Sequence, residues 1–525
     1  MQASKKQKNI AGPGPGNKSA GGGCCSMPGR RKFIENLGFA GGVIMALGAG
    51  GSTLAACSHE RKPRTDAELF GWSAGKVMSA PLLPGDTGKK PVISVGFSRA
   101  RDEYYMGWPG AAYDTKGSQA LYTETLQKSA AELGVVLDIE HEPLRDNDHS
   151  ERFLKKTLAE NADGALLVVM NLNDGWPMVS HFVDGRGTLP VVIFSPLGTQ
   201  FTPFLQPYRE IPNCFLGSTE DVGWLDSALR MLKVVWQMDN TRIACVHRNE
   251  DRTEKLAAVG TTLVHMPLDR FAAAYDATAG SAEAEAIAKH YLENAAEVVE
   301  PSRQEVIDAA RTYVANRRLM EETGCHAVTM DCLGLITTKR TPPPCMAYLQ
   351  LLNERTCGCC EADVTAALSL MLSSYLFGKP AFLHNPTPNT VRNNYGGAHC
   401  TAPTLMEGFD GPSSACILRN HHESDWGVAP QVLLKENQPA TVMKFITPDR
   451  LMAATGTILY NIDTRPDDGI GGCRTSFQMA MDDVADVRDI RGHHNVLVYG
   501  KYLNELRAWG QLSGVMTEHL TGGRL

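Results

Sequence analysis

The chain has 525 residues, and its 51 lysines and arginines against 58 aspartates and glutamates give a formal net charge of -7 at pH 7. A modest acidic balance with no basic stripe excludes nucleic acid as a favoured partner. Hydrophobic residues make up 43% of the chain, so beyond its first residues the sequence is that of a globular protein of about two to four domains.

The first 57 residues have the pattern of an export signal. Arg30 and Arg31 stand just before the apolar pair Phe33 and Ile34, and a glycine- and alanine-rich stretch follows over residues 39–56. This order is typical of a twin-arginine signal. An uncleaved membrane anchor is the alternative, because the stretch approaches the roughly 20 residues that span a bilayer. Its many glycines make a poor helix, which disfavours that alternative.

The signal ends in the tetrapeptide Leu-Ala-Ala-Cys at residues 54–57. This tetrapeptide resembles a bacterial lipobox, in which the cysteine is lipidated and becomes the first residue. We therefore expect an exported protein on the periplasmic or cell-surface side, anchored to a membrane through Cys57. Residues 58–90, which are polar and contain proline, are predicted to be a tether between the anchor and the body.

From residue 91 onward, apolar runs alternate with segments of helical spacing. The predicted strands cover residues 91–97, 135–139, 164–170 and 190–194, with helices at 119–133 and 151–161. Three or more such units predict a parallel sheet with helices on both faces, the first α/β domain at residues 91–205.

A second α/β domain is predicted at residues 206–375. Its predicted elements are a strand from Cys214, a helix capped near Ser218 or Thr219, strands at 242–246 and 326–330, and a helix at 301–320 with Pro301 at its first position.

From about residue 376 the segments become short and β-rich, including residues 441–446 and 495–499, with a last helix at 502–512. The predicted fold class is therefore α/β, with two successive doubly wound parallel-sheet domains followed by a β-rich, barrel-like C-terminal domain at residues 376–525.

Histidines and carboxylates concentrate after Asp331. Glu361 and Asp363 stand before a strongly apolar predicted helix, where carboxylates favour the helix dipole and simple capping explains Asp363 as well as a function does. On a regular helix, residues two apart face different directions. His493 and His494 lead into a strand, so at most one of them is expected to meet a given site.

Three segments resemble the L-fucose isomerase and L-arabinose isomerase superfamily. Residues 360–363, Cys-Glu-Ala-Asp, precede an apolar helix and a Gly-Lys-Pro-Ala turn, and residues 398–400 read Ala-His-Cys. Residues 492–499, Gly-His-His-Asn-Val-Leu-Val-Tyr, resemble the closing segment of the arabinose isomerases. The resemblance covers residues 91–525 in architecture and is specific after about residue 325.

The resemblance implies a divalent-metal aldose-ketose isomerase that acts on a free monosaccharide by an ene-diol proton transfer. Such chemistry needs a base for the C2 proton and a cation that holds the substrate oxygens. Mn²⁺ or another divalent metal suits mixed carboxylate and imidazole ligands. Relatives of this kind imply a homo-oligomer, a trimer or a hexamer. The resemblance implies Glu361, His399 and His494, or its neighbour His493, as metal ligands. We further predict Glu361 and Asp363 as catalytic groups, His384 as another metal ligand, and Asn385, His421, His422 and His493 as substrate contacts. A surface polar run is the alternative interpretation of His421, His422 and Glu423.

The sequence departs from the family at the second carboxylate. An acidic residue is expected near positions 384 and 385, where this chain has His384 and Asn385. Asn385 is a weak metal ligand and cannot accept a proton, which leaves Asp331, Asp363 and Asp425 as candidates for the missing acid. A catalytically degenerate, sugar-binding lipoprotein is therefore the alternative to an isomerase.

A third hypothesis concerns the cysteines at 357, 359 and 360, which would have to converge with a fourth ligand to form a zinc or iron-sulfur site. Packed thiols, or a disulfide with Cys332 or Cys345, are the other interpretation. The meeting of Glu361, His399 and His494 within ligand distance, with a carboxylate supplied by another residue, would distinguish the isomerase from the degenerate sugar-binding protein.

Overall fold

The computed structural model describes residues 79–84, 88–107, 110–247, 251–462 and 472–525. The predicted twin-arginine signal, Cys57 and the first part of the predicted tether lie outside the described residues. Within the described ranges, no helix is both long enough and apolar enough to cross a membrane.

The described end of the predicted tether is bound to the body of the protein. The Ser79 backbone N–H donates to Glu354 Oε1 at 3.0 Å, and the Leu82 N–H donates to Thr356 Oγ1 at 3.1 Å. The Arg317 guanidinium donates to the Ala80 carbonyl at 3.0 Å. Residues 79–82 therefore belong structurally to the body and not to a free linker.

The first part of the fold contains seven strands and five helices. The strands are β1 Val92–Ser98, β2 Glu103–Tyr105, β3 Ala112–Asp114, β4 Val136–Ile139, β5 Gly164–Val169, β6 Val191–Pro196 and β7 Cys214–Thr219. The helices are α1 Thr115–Leu133, α2 Asn147–Ala159, α3 Trp176–Gly185, α4 Thr202–Leu205 and α5 Trp224–Asn240.

Five of these strands form a parallel sheet in the order β4-β1-β5-β6-β7, while β2 and β3 form a short antiparallel hairpin. Tyr122 of α1 and Leu229 of α5 pack in the core on one face of the sheet. Phe153 of α2 and Phe182 of α3 pack on the other face. The first sheet is thus covered by helices on both faces, as its continuous apolar strands predict.

The strand at Cys214–Thr219 corrects one prediction. We expected it to begin the second α/β domain, but it pairs in parallel with β6 and completes the first sheet. The following helix begins at Trp224, with Gly223 in the N-cap position, and not near Ser218 or Thr219. Sequence periodicity identifies the strand but not its pairing partner, so the second sheet begins later in the chain than predicted.

The second part of the fold contains six strands and five helices. The strands are β8 Arg242–His247, β9 Arg252–Lys255, β10 Thr262–Pro267, β11 Glu297–Val298, β12 Ala327–Met330 and β13 Cys357–Cys360. The helices are α6 Leu268–Asp276, α7 Ala282–Asn294, α8 Arg303–Thr323, α9 Cys332–Thr337 and α10 Cys345–Asn353.

The second sheet has the order β13-β12-β8-β10-β9. Four strands are parallel, and β9 is an antiparallel edge strand, so this sheet is not purely parallel as predicted. Helix α8 begins two residues after the predicted Pro301, because Ser302 caps it. The Ser302 side chain accepts from the Glu305 N–H, and the Glu305 carboxylate accepts from the Ser302 N–H, which is a capping box.

The C-terminal part of the fold consists of nine strands and two helices. The helices are α11 Val364–Leu372 and α12 Leu503–Ser513. The strands are β14 Phe382–Pro386, β15 Tyr395–His399, β16 Cys416–His421, β17 Trp426–Val432, β18 Pro439–Thr447, β19 Arg450–Asn461, β20 Thr475–Met481, β21 Asn495–Tyr499 and β22 Met516–His519.

Six of these strands close into an antiparallel barrel in the order β18-β21-β14-β15-β20-β19, because β18 also pairs with β19. Strand β22 adds to β19 in parallel, outside the closed ring. Strands β16 and β17 form a separate three-stranded sheet with β11. The barrel-like C-terminal region predicted from the short β-rich segments is confirmed. Helix α11 contacts β13 on one side and β18 of the barrel on the other, so its first residues lie where the second sheet meets the barrel.

Candidate metal centre and pocket

The turn between β13 and α11 places two carboxylates together. Glu361 and Ala362 have positive φ angles of 60° and 54°, a left-handed conformation that is uncommon outside glycine. Asp363 then caps α11, since its Oδ1 accepts from the Ala366 N–H at 2.8 Å. On a regular helix Glu361 and Asp363 would diverge, but the left-handed turn lets both side chains reach the same histidine.

That histidine is His494, which directly precedes β21. Its Nδ1 lies 3.0 Å from Asp363 Oδ2, and its Nε2 lies 3.2 Å from Glu361 Oε2. Burial lowers the pKa of His494, but the hydrogen bonds to Asp363 and Glu361 outweigh burial and raise that pKa to about 9. The imidazole therefore links the two carboxylates, one on each ring nitrogen.

His399, the last residue of β15, approaches Glu361 from the other side. Its Nε2 lies 3.5 Å from Glu361 Oε1, and its ring centroid lies 5.5 Å from that of His494. Burial lowers the pKa of His399. Each oxygen of Glu361 thus faces a different imidazole, and hydrogen bonds from His399 and His494 hold the pKa of Glu361 well below its usual range. One ligand atom from each of Glu361, His399 and His494 lies within 4.8 Å of the others.

Asp363 is enclosed behind this cluster. Besides His494 and the helix N-terminus, its Oδ2 accepts from the Lys444 ammonium at 2.7 Å, and the Lys444 side chain is only 3% exposed. Burial raises the pKa of Asp363, but the His494 and Lys444 contacts outweigh burial and hold that pKa below its ordinary value. Sequence reasoning missed Lys444, although a single lysine inside the apolar run of β18 was a usable signal.

His384, predicted as a metal ligand, lies outside the cluster. Its Nδ1 donates to the Phe382 carbonyl at 3.0 Å, and its Nε2 accepts from the Tyr395 hydroxyl at 2.7 Å. The Tyr395 oxygen in turn accepts from Asn495 Nδ2 at 3.0 Å. Burial lowers the pKa of His384 to about 3. Both ring nitrogens are thus used inside the barrel, which corrects the prediction that His384 binds the metal.

A cavity opens beside Glu361 and His399. Of the predicted substrate contacts, Asn385, His421 and His422 line it and His493 does not. Asn385 Oδ1 is buried and has no hydrogen-bond partner within the described ranges. The cavity is also lined by Leu333, Ile336, Glu423 and five cysteines, namely Cys332, Cys345, Cys360, Cys400 and Cys473.

The candidates for a second acid differ in whether they line the cavity. Asp331 caps α9 through the Gly334 N–H at 3.1 Å, and neither Asp331 nor the exposed Asp425 lines the cavity. Glu423, which directly follows the two histidines in the chain, does line it. It is the carboxylate there besides Glu361, and a glutamate next to a His-His pair was the available signal.

The cysteines of β13 do not converge. Cys357 donates to the Ala367 carbonyl and Cys359 to the Asp363 carbonyl, both toward α11, whereas Cys360 faces the cavity. Successive side chains of a strand point to opposite faces, which separates these thiols. Among the described residues, the one group of three metal-ligating side chains within ligand distance is Glu361, His399 and His494. The predicted alternative of a cysteine metal site at 357–360 is therefore not supported.

No protein-family model and no curated protein matches the chain. Solved structures with partial likeness include a sugar ABC transporter from Yersinia enterocolitica, at 12% identity over 53% of this chain and 80% of that chain, with a TM-score of 0.18. A solute-binding protein of an ABC transporter from Burkholderia multivorans is 10% identical over 48% of this chain and 86% of that chain, with a TM-score of 0.17. A galactofuranose-binding protein matches at 10% identity, 48% and 81% coverage and a TM-score of 0.15. Likeness at this level defines neither a shared fold nor a shared ligand.

Proposed function

We propose that the cavity binds a divalent metal ion, Mn²⁺ or a similar cation, together with a monosaccharide. The observation that carries the proposal is the meeting of Glu361, His399 and His494, with their ligand atoms within 4.8 Å of one another. Glu361 and His399 also line the cavity. One carboxylate and two imidazoles suit Mn²⁺ and neighbouring divalent ions.

The surroundings of His494 fit a metal ligand. Asp363 holds His494 Nδ1 at 3.0 Å, and a carboxylate on the far nitrogen is the usual arrangement for a metal-binding histidine, because it fixes the ring orientation and raises ligand basicity. One ligand atom each of His494, Glu361 and His399 then lies close enough to the others to share one ion. Asp363 is a positioning residue in this arrangement, which differs from the catalytic role that we predicted for it from the sequence.

The wall of the cavity fits a polyhydroxylated ligand. Asn385 offers a buried amide oxygen without a partner, and His421 and His422 offer ring nitrogens nearby. Sugar hydroxyls both donate and accept hydrogen bonds, so they can pair with the amide oxygen and the ring nitrogens of this wall. The resemblance of residues 360–363, 398–400 and 492–499 to the fucose and arabinose isomerases also supports a monosaccharide.

A second candidate function is aldose-ketose isomerisation, which Glu423 favours. Asp363 is fixed by Lys444 and His494 and does not line the cavity, so it is not placed to take a proton from a substrate. Glu423 lines the cavity and would be the base for the C2 proton. The metal, when bound, would supply positive charge to the two substrate oxygens. Binding without turnover remains the first proposal, because it needs only the three clustered ligands and the polar groups of the cavity wall, and no group that transfers a proton.

We propose that the protein is exported and lipid-anchored at Cys57, with the pocket on the periplasmic or cell-surface side of a membrane, that the two sheets are successive doubly wound units, and that the chain forms homo-oligomers.

The test combines metal and sugar titrations on the purified full chain. After removal of metal with EDTA, we expect about one equivalent of Mn²⁺ to bind, and we expect a panel of aldoses and ketoses to contain at least one that binds only when Mn²⁺ is present. Glu361→Gln should abolish both, while Glu436→Gln, at an exposed turn, should change neither. A wild-type chain that binds no divalent metal, or binds sugars equally without it, would contradict the proposal. Ketose formation that is lost in Glu423→Gln, with metal binding intact, would establish the isomerase.

A further inference from the structure

Five of the eleven described cysteines line one cavity, and four of them form two neighbouring pairs. All eleven are free thiols in the structure, and ten are buried. The five in the cavity, Cys332, Cys345, Cys360, Cys400 and Cys473, come from separate parts of the chain. A chain of this size does not need disulfides to stabilise its core. The presence of five cysteines around one cavity therefore requires another explanation.

The first pair joins two neighbouring strands of the second sheet. Met330 of β12 lies opposite Cys360 of β13 in the parallel register. Cys332 follows β12 by two residues and begins α9. Cys332 and Cys360 are both buried and line the same cavity, with their thiols close enough to interact.

The second pair joins two neighbouring strands of the barrel. His399 of β15 lies opposite Thr475 of β20, so Cys400, one residue after β15, faces the residues just before β20. Cys473 packs there against the buried cluster of Cys345, Cys400 and Ala429, and the Arg474 N–H donates to Cys400 Sγ at 3.5 Å. Cys400 and Cys473 also line the same cavity.

Each pair contains the chain neighbour of a proposed metal ligand. Cys360 directly precedes Glu361, and Cys400 directly follows His399. The other member of each pair lies on a separate segment, at the start of α9 or just before β20. We propose that Cys332–Cys360 and Cys400–Cys473 are two disulfide-forming pairs, which when oxidised tie the segments carrying Glu361 and His399 to the cavity wall.

The chemistry of each pair is thiol-disulfide exchange. Two S–H bonds are lost and one S–S bond forms, which releases two protons and two electrons per pair. The electrons pass to the disulfide of an oxidoreductase or to glutathione disulfide, whose S–S bond is reduced to two thiols. Cys345, which packs against Cys400 and Cys473, is the fifth thiol and stays reduced. An oxidising compartment, as proposed for this chain, favours the oxidised form.

The first experiment maps the links in the full-length protein. The protein is incubated with glutathione disulfide, denatured, alkylated with iodoacetamide and digested, and the peptides are analysed by mass spectrometry. We expect linked peptides joining Cys332 to Cys360 and Cys400 to Cys473. Fragmentation must distinguish Cys360 from Cys357 and Cys359, because the three share a peptide. If these four cysteines are recovered alkylated, or linked to other partners, the pairs are overturned.

Matched variants keep the mapping specific. Cys332→Ser should remove the first link and keep the second, and Cys473→Ser should do the reverse. Cys214→Ser changes a buried thiol in the first sheet, far along the chain from either pair, and should keep both links. If one substitution abolished both links, the two pairs would not form independently, which would contradict the proposal.

A second experiment tests the coupling of the pairs to the metal, and this part rests on the proposed function. Fixing ligands in place lowers the cost of ordering them on binding, so we expect Mn²⁺ to bind about tenfold more tightly to the mapped oxidised protein than to protein reduced with a phosphine. Equal affinity in the two forms would overturn the coupling. Absence of Mn²⁺ binding in both forms would overturn the proposed metal site instead, while the mapped links would stand.

Discussion

Two histidines on adjacent barrel strands, His384 on β14 and His399 on β15, show how one residue type takes two roles. Both are buried, and burial lowers the pKa of each. His384 has hydrogen bonds on both nitrogens from within the barrel. His399 has a carboxylate on Nε2 and borders a cavity. The partners of a histidine, and not its burial, therefore distinguish a core residue from a candidate ligand.

The packing around the two residues reinforces the difference. A Cβ on Gly397 would lie 2.4 Å from His384 Cδ2 and 2.5 Å from Phe477 Cε1, so only glycine fits where β15 passes the His384 ring. The barrel interior around His384 is therefore filled by protein. His399 instead has an Nδ1 atom without a partner among the described residues and shares its wall with Asn385, where a ligand has room.

The largest expected effect is on metal affinity, and it distinguishes the Glu361 cluster from the barrel interior around His384. Glu361→Gln removes the carboxylate that faces both imidazoles, and we expect Mn²⁺ affinity to fall by at least about 100-fold, measured by isothermal titration. His384→Gln should leave the affinity within about threefold of wild type, provided that circular dichroism shows a folded protein. A His384→Gln variant that folds but loses the metal would return His384 to the ligand set.

The second effect concerns Asp363 and its buried partner. Asp363→Asn leaves the Lys444 ammonium, 3% exposed, without its counter-charge, and we expect a loss of about 3 kcal/mol in the free energy of unfolding. Metal affinity should fall by about 10- to 100-fold, because His494 loses its orienting carboxylate.

Adding Lys444→Met to Asp363→Asn separates these two contributions. The double variant should recover most of the stability in urea unfolding but not the metal affinity. Recovery of both would show that Asp363 acts only through folding.

The third effect is a dependence of stability on pH that comes from His384. Burial lowers its folded pKa to about 3, so it stays neutral in the folded protein while the unfolded imidazole gains a proton below its ordinary pKa of about 6.5. Its contribution to stability is therefore complete above about pH 6.5 and is lost as pH falls toward 3.

Urea unfolding of His384→Gln between pH 4 and 6 measures that contribution. The slope of the unfolding free energy against pH should be shallower than that of wild type by up to about 1.4 kcal/mol per pH unit, the value for one proton. His141→Gln, at an exposed position, is the matched control and should keep the wild-type slope. Identical slopes for wild type and His384→Gln would show that His384 is not held neutral by the fold.

The smallest effect tests the ligand side of the cavity. Asn385→Ala removes the amide whose oxygen has no partner, and we expect sugar affinity to fall about tenfold while Mn²⁺ affinity is unchanged. Asn147→Ala removes an exposed amide at the start of α2, away from the cavity lining, and should leave sugar affinity unchanged. Loss of metal binding in Asn385→Ala would place Asn385 in the metal shell.

Much of the fold was predictable because local patterns determined it. The strand at Asn495–Tyr499 and the barrel-like texture of the C-terminal region follow from apolar runs separated by glycine, proline and asparagine. Capping by Asp363 was also predictable, since an aspartate before an apolar helix accepts from the first free N–H groups. Pairing of β7 with the first sheet was not, because strand partners depend on tertiary contacts.

The three residues of the candidate metal site were predictable, but their geometry and the buried partners around them were not. The family resemblance led to Glu361, His399 and His494, which the structure brings together. The left-handed turn at 361–362 could not be foreseen, because neither Glu nor Ala favours positive φ. The ion pair of Lys444 with Asp363 and the two thiol pairs join residues distant in sequence, which no local pattern reveals.

The contacts of residues 79–82 set a mechanical limit on the whole molecule. Glu354 and Thr356, which hold Ser79 and Leu82, directly precede the strand that leads to Glu361. With Cys57 as the proposed anchor, the chain up to Ser79 spans at most about 75 Å when fully extended. Tension from a membrane would then enter the body just before β13, the strand that ends at the cavity residue Cys360. The length of the segment would also limit the distance between the pocket and the membrane.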